Sequence, residues 1–236
     1  MNYCKMILGL AIMLLASSAA QAQVNEVKVV GQMRDVMWKG ELQGKIYLDT
    51  IANKKALYGF GPVEYLSGEI LVIDGKAYKS VVVGDTAMRV EETYNIKAPF
   101  FAYANIAQWK EQSLPDSVET IARLEQYLDG ITNGAKRPFL FRLSGTVKSA
   151  AIHIVNLPKG ATVSSPDEAH RGQQNYTVTN AVSDIIGFFS TTHKAIFTHH
   201  DTFLHMHLIT ADRAKMGHVD ELLFEKGSMK LYLPAQ

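Results

Sequence analysis

The sequence predicts a β-rich fold of the mixed α/β or α+β kind, and three observations lead to it. Short apolar runs alternate with turn residues along most of the chain, most clearly at Asp74-Gly75 between the runs 69–73 and 76–83. Only one stretch, 116–131, keeps a helical period over several turns. The C-terminal part reads as three more strands, over 203–209 and 218–233, with Gly217 and Gly227 at the breaks.

The first residues read as an export signal and not as part of that fold. Lys5 precedes the apolar run 6–16, and Ala20-Gln21-Ala22 is a small-x-small cleavage site. A run of 11 residues is well short of the roughly 20 a membrane-crossing helix needs, so a membrane anchor is the less favoured alternative. Cleavage near Ala22-Gln23 gives an exported chain, periplasmic or secreted. Losing Lys5 takes the 24 basic residues to 23, against 23 acidic ones. No basic excess remains to hold nucleic acid or an anionic membrane. The single cysteine, Cys4, leaves with the signal, which excludes disulfides and thiolate chemistry. The remaining segment, nearly half apolar, is long enough for one large domain or two small ones, with 105–137 as the natural seam.

Taken in order, 69–83 is a hairpin on a two-residue turn, and 99–104 is a short buried strand. A helix follows, capped by Asp116 with Glu119 three residues on. Val118, Ile121, Leu124, Leu128 and Ile131 form its apolar face, and Asn133-Gly134 stops it. Segments 139–143 and 146–155 suggest a second hairpin, turning at Ser144-Gly145. The stretch 158–175, rich in Pro, Gly, Ser and Gln, reads as an exposed loop, and 176–190 as extended chain.

The chemistry concentrates in histidine. All 8 histidines follow the signal, and six of them fall between His193 and His218. Strand side chains alternate, so in Phe203–Ile209 His205 and His207 share a face while Leu204, Met206 and Leu208 take the other. A hairpin through 211–216 would return His218 beside that pair. Three neutral nitrogen ligands with positions left open is the pattern of a catalytic zinc, whereas structural sites usually close with four ligands. A lone histidine is more often a satisfied core or surface residue. The pair plus His218 favours a metal site. His199 and His200 read as loop residues, and His153 and His170 as ordinary.

The run His205-Met206-His207-Leu208-Ile209-Thr210-Ala211-Asp212-Arg213, followed by Gly217-His218-Val219, resembles the zinc-binding signature of the acetolactate decarboxylase family. Gly59-Phe60-Gly61 leading to Leu66-Ser67-Gly68-Glu69 and Asp74–Tyr78, then Pro99-Phe100, then Phe141-Arg142-Leu143-Ser144-Gly145-Thr146, are similar to three further segments in the same order. The resemblance spans about residues 30–233. It implies a two-domain fold with mixed β-sheets and few helices, the site between the domains, and usually a homodimer. It also implies a Zn²⁺ cofactor on His205, His207 and His218, with Glu69 moving protons beside the metal and Arg142 as the cation near the substrate, a small 2-hydroxy-3-keto acid. The reaction implied is 2-acetolactate to acetoin and carbon dioxide. Without the resemblance, Glu69 reads as a strand-edge residue and Arg142 as one lying over apolar surface. Tyr78 and Thr146 are possible substrate contacts. The family's C-terminal glutamate at the metal has no match after Leu231-Tyr232-Leu233, and Glu221 and Glu225 do not align with it.

Three other functions compete. A zinc-dependent ester hydrolase of related fold would use the metal to activate water. A cupin would need a glutamate shortly after the histidine pair, where Ala211 and Asp212 stand. A non-catalytic, exported zinc-binding relative would bind metal without turnover.

Overall fold

The computed structural model describes residues 25–85, 87–193 and 202–235. The segment 1–22, read in the sequence as an export signal, lies outside the described residues, as do His199 and His200. Among the described residues no helix is long and apolar enough to cross a membrane.

The elements of the first half are β1 (Lys28–Val30), α1 (Met33–Lys39), β2 (Ile46–Tyr47), β3 (Leu57–Pro62), β4 (Glu69–Ile73), β5 (Lys76–Val83), β6 (Ala87–Glu92), β7 (Lys97–Ala98) and β8 (Phe101–Asn105). Six of these strands make one antiparallel sheet in the order β1-β8-β3-β4-β5-β6, while β2 pairs with β7. The second half holds β9 (Trp109–Ser113), α2 (Ile121–Ile131), β10 (Phe139–Ile154), α3 (Pro166–Ala169), β11 (Gln174–Phe189), β12 (Leu204–Thr210), β13 (Met216–Phe224) and β14 (Lys230–Pro234). These strands form a second antiparallel sheet, β11-β12-β13-β10-β14-β9. Because β10 also pairs with β11, the four strands β10-β11-β12-β13 close into a ring.

Side-chain alternation explains how the layers stack. In β4, Leu71 and Ile73 join an apolar cluster with Phe60, Phe100, Ile186, Phe188, Ile209 and Met216, which lies between the first sheet and the ring. Ile70 and Val72 face the other way, onto Leu48, Leu57 and Phe101. The strand is buried on both faces and so reads as a continuous apolar run. A third cluster fills the ring and the groove under α2, with Leu124, Leu128, Phe141, Leu143, Ile152, Leu208 and Leu222. Burying each such side chain stabilises the fold by about 1.5–3 kcal/mol.

The β-rich class with few helices is as the sequence predicts, and so is the 69–83 hairpin, with Asp74 and Gly75 both at positive φ (47° and 76°). Three local expectations differ. The turn at Ser144-Gly145 does not exist, because β10 runs through it for 16 residues. Gly145 is there for space: a Cβ would lie 2.2 Å from the Ser228 carbonyl oxygen, where β10 passes from β14 to β13 as its partner. The helix begins at Ile121, with Thr120 as its cap accepting from the Arg123 N–H. The 116–120 segment is tied instead to β13, through the Thr120–Leu223 bridge, the Phe224 N–H bonded to the Glu119 carbonyl, and a Glu119–Lys226 ion pair. Finally, 158–175 carries α3, capped by Ser165, and buries Val163 and Ala169.

Candidate metal centre

The two facing strands of the ring bring the three histidines together. In the β12–β13 pairing His207 is the direct partner of His218, and alternation puts His205 on the same face. Their side chains are buried, with 5%, 1% and 5% of their surface exposed for His205, His207 and His218. Ring centroids are 4.9 Å apart for His205–His218 and 5.5 Å for the other two pairs. One nitrogen from each residue can be chosen so that all lie within 4.8 Å of one another. The His205 Nε2 to His218 Nδ1 separation is 3.2 Å. Two ligands of a tetrahedral ion with bonds of about 2.0–2.1 Å stand at a similar distance. The residues present therefore fit a metal ion: three buried imidazoles from two adjacent strands.

Phe60 holds these rings in place. It stacks on His207 at 4.4 Å, meets His205 edge-on at 4.7 Å, and is itself fully buried against Phe188. Gly217 permits the close strand approach behind them, since a Cβ there would sit 2.5 Å from the His153 carbonyl oxygen.

Glu69 enters from the opposite sheet. It starts β4 on the same face as Leu71 and Ile73, is 3% exposed, and places Oε2 3.7 Å from His207 Nε2. Its Oε1 accepts from the Val155 N–H at 3.1 Å. Burial lifts the carboxyl well above the usual carboxylate range, and the Val155 hydrogen bond opposes this only in part. The left-handed backbone of Tyr65 and Leu66 (φ 62° and 50°) puts Leu66 into the wall just before Glu69.

These groups line a cavity of about 150 Å³ between the two sheets, bordered by α1 through Met33, Val36 and Met37 and by Phe100. Two residues that the sequence reading passed over also line it. His153 bonds Asp220 through Nδ1 and lies 4.6 Å, ring to ring, from His218. His170 bonds the Pro166 carbonyl, and burial holds its pKa below the usual imidazole value. No local signal marks either one, because the β10–β13 register that brings His153 to His218 links residues far apart in the chain.

Arg142 is elsewhere. It lies on the same row of the ring as His207, with Ile186 between them, and it is not in the cavity wall. Its guanidinium bonds Asp184 at 2.9 Å and sits 5.0 Å over the Tyr232 ring. Tyr78 packs against Arg213. His193 bonds Ser190 at the end of β11.

A two-sheet β architecture with a carboxylate-flanked cavity lined by three histidines that could hold a metal ion defines a protein with a small-molecule-sized site. The family model for alpha-acetolactate decarboxylase matches residues 31–234, so the chain belongs to the alpha-acetolactate decarboxylase family, and it is an enzyme of the carboxy-lyase class. It is 27% identical over 200 residues to an alpha-acetolactate decarboxylase of Lactococcus lactis subsp. cremoris, covering 81% of this chain and 80% of that one. A Streptococcus thermophilus enzyme of the same name is 27% identical over 204 residues, with 81% and 80% covered. The fold is similar to that of the alpha-acetolactate decarboxylase from Bacillus subtilis, with a TM-score of 0.74 at 19% identity and 89% and 86% of the two chains covered. It is also similar to that of a Staphylococcus aureus protein of unknown function, described as similar to alpha-acetolactate decarboxylase (TM-score 0.73, 18% identity, 87% and 84% covered).

Proposed function

We propose that this protein decarboxylates 2-acetolactate to acetoin and carbon dioxide, using a zinc ion held by His205, His207 and His218. The observation that carries this reading is the convergence of three buried imidazoles and one buried carboxylate on one small cavity, in a chain of this family. Bound there, zinc would supply a Lewis acid that stabilises the negative charge developing on the ketone oxygen as the carbon–carbon bond breaks.

The rest falls to the chain itself. The three imidazoles present their ring nitrogens from two adjacent, buried strands of the ring. Met33, Leu66 and Phe100 keep the cavity apolar, which favours departure of the carboxylate as neutral carbon dioxide. Glu69, whose proton affinity burial has raised, delivers a proton to the carbon that the carboxylate has left. The Val155 N–H fixes Oε1, so proton delivery is assigned to Oε2, on the His207 side. A carboxyl fixed on one side of the substrate protonates one face, so the acetoin formed is chiral. Export by the N-terminal signal and assembly as a homodimer belong to the same proposal.

The test is to incubate the purified protein with 2-acetolactate and, separately, with a chromogenic ester, with and without chelator. Acetoin that disappears on chelation and returns with zinc is the expected result. Chelator-sensitive ester cleavage with no acetoin would transfer the site to the hydrolase reading.

A further inference from the structure

The cavity wall carries His153, which the proposed reaction does not use, with Asp220 behind it. His153 is 4% exposed, and its Nδ1 lies 2.8 Å from both carboxylate oxygens of Asp220. The Asp220 carboxylate accepts from Nδ1, which fixes the ring and leaves Nε2 as the nitrogen that Asp220 does not engage. Carboxylates commonly fix the tautomer and orientation of functional histidines this way.

The backbone is shaped for this contact. In the β10–β13 pairing His153 faces His218 and Ile152 faces Val219, but Ala151 faces Glu221, so Asp220 is the extra residue of a β-bulge. A bulge redirects one side chain, and such irregularities gather beside active sites. Here it turns the Asp220 carboxylate onto the imidazole. His153, His218 and Asp220 could also gather round a cation. That arrangement would draw Asp220 from Nδ1 and His218 from the histidine triad, so the two sites exclude each other.

We propose that His153 is a substrate-recognition residue: held by Asp220, it offers Nε2 to the hydroxyl of the bound acid and so selects 2-hydroxy-3-keto acids over 3-keto acids without that hydroxyl. The proposal rests on the decarboxylase reading and names the substrate feature the site recognises. A cavity built to bond a hydroxyl discriminates strongly against the analogue lacking it, because a buried acceptor is then left unpaired.

The experiment compares zinc-loaded wild-type protein with His153→Leu, His153→Gln and Asp220→Asn. Each is assayed for carbon dioxide release from 2-acetolactate and from 2-methyl-3-oxobutanoate, the same acid with hydrogen in place of the hydroxyl. His153→Leu is expected to lower kcat/KM for 2-acetolactate about tenfold or more and to leave the deoxy acid unchanged. His153→Gln, whose amide oxygen can accept in a similar place, restores part of the loss. Asp220→Asn resembles His153→Leu, because the amide can donate to Nδ1 and move the ring proton to Nε2. Zinc content by elemental analysis stays at the wild-type level in all three. Calorimetry supplies the readout without turnover: wild type binds 2-hydroxy-2-methylpropanoate more tightly than 2-methylpropanoate, and His153→Leu removes that difference. Equal losses for both acids, no loss for either, or loss of zinc would overturn the proposal. If wild type makes no acetoin, the decarboxylase reading fails, and the calorimetric preference still decides whether His153 recognises a hydroxyl.

Discussion

The two walls of the cavity are built differently. The first sheet contributes one ionisable group, Glu69, at the start of a strand otherwise made of Ile70, Leu71, Val72 and Ile73. The ring opposite contributes His153, His205, His207 and His218 from three of its strands, with Asp220 behind one of them. Glu69 is held by one backbone N–H and by burial, so its proton is easily influenced by what enters the cavity. His205, His207 and His218 are held by strand register, with Phe60 packed on the first two, so their placement depends on the fold and not on a single hydrogen bond. A rigid binding wall thus faces a wall suited to moving a proton, and the two should fail in different ways when altered.

The largest effect is expected on the ring side. His207→Ala should remove stoichiometric zinc, measured by elemental analysis, and with it all acetoin formation. Retention of either would show that the ring does not carry the metal. On the first sheet, Glu69→Gln should keep the zinc and lower kcat by about 10²–10⁴. The same substitution has a pH signature in the metal-free protein. A carboxyl raised above its unfolded value prefers its proton in the folded state, so folding is favoured below the unfolded pKa and loses stability as pH rises toward the folded one. Metal-free Glu69→Gln should therefore melt above metal-free wild type at pH 7, with the gap closing under acid conditions. A constant gap would remove burial as the cause.

Phe60→Leu tests the bond between the walls, since Phe60 belongs to the first sheet yet positions ring histidines. It should cost about 1–2 kcal/mol of stability in a denaturant titration and weaken zinc affinity several-fold while the zinc ligands themselves stay unchanged. Unaltered zinc affinity would mean that the ring needs no support from the other sheet. The smallest effect is expected at Arg142. Arg142→Gln breaks a half-buried ion pair with Asp184, worth about 1 kcal/mol at most, and should leave zinc content intact and kcat/KM within tenfold of wild type. A larger loss would mean that the guanidinium leaves Asp184 to meet the substrate.

What was legible in the sequence follows from the range of the interactions involved. The positions of His205 and His207 on one face, and the Asp74-Gly75 turn, depend on neighbours within a few residues, where strand alternation and turn chemistry apply directly. The return of His218 needed only one hairpin. Gly145 was read as a turn because its actual reason, the Ser228 carbonyl, lies far along the chain. Asp116 has the form of a cap, but contacts between 116–120 and β13 outweighed it. The α1 helix passed unnoticed because seven residues are too few to show a period and Gln32 makes no side-chain cap. His153 gave no sign at all, since the β10–β13 register and the bulge at Asp220 exist only in three dimensions.

The most direct measurement is anomalous diffraction at the zinc edge from crystals of the purified protein. A single peak with imidazole nitrogens of His205, His207 and His218 at about 2.0–2.1 Å, on the cavity side next to Glu69, is what the account predicts. A zinc-replete crystal with no density at that point, or with the ion ligated elsewhere, would contradict it.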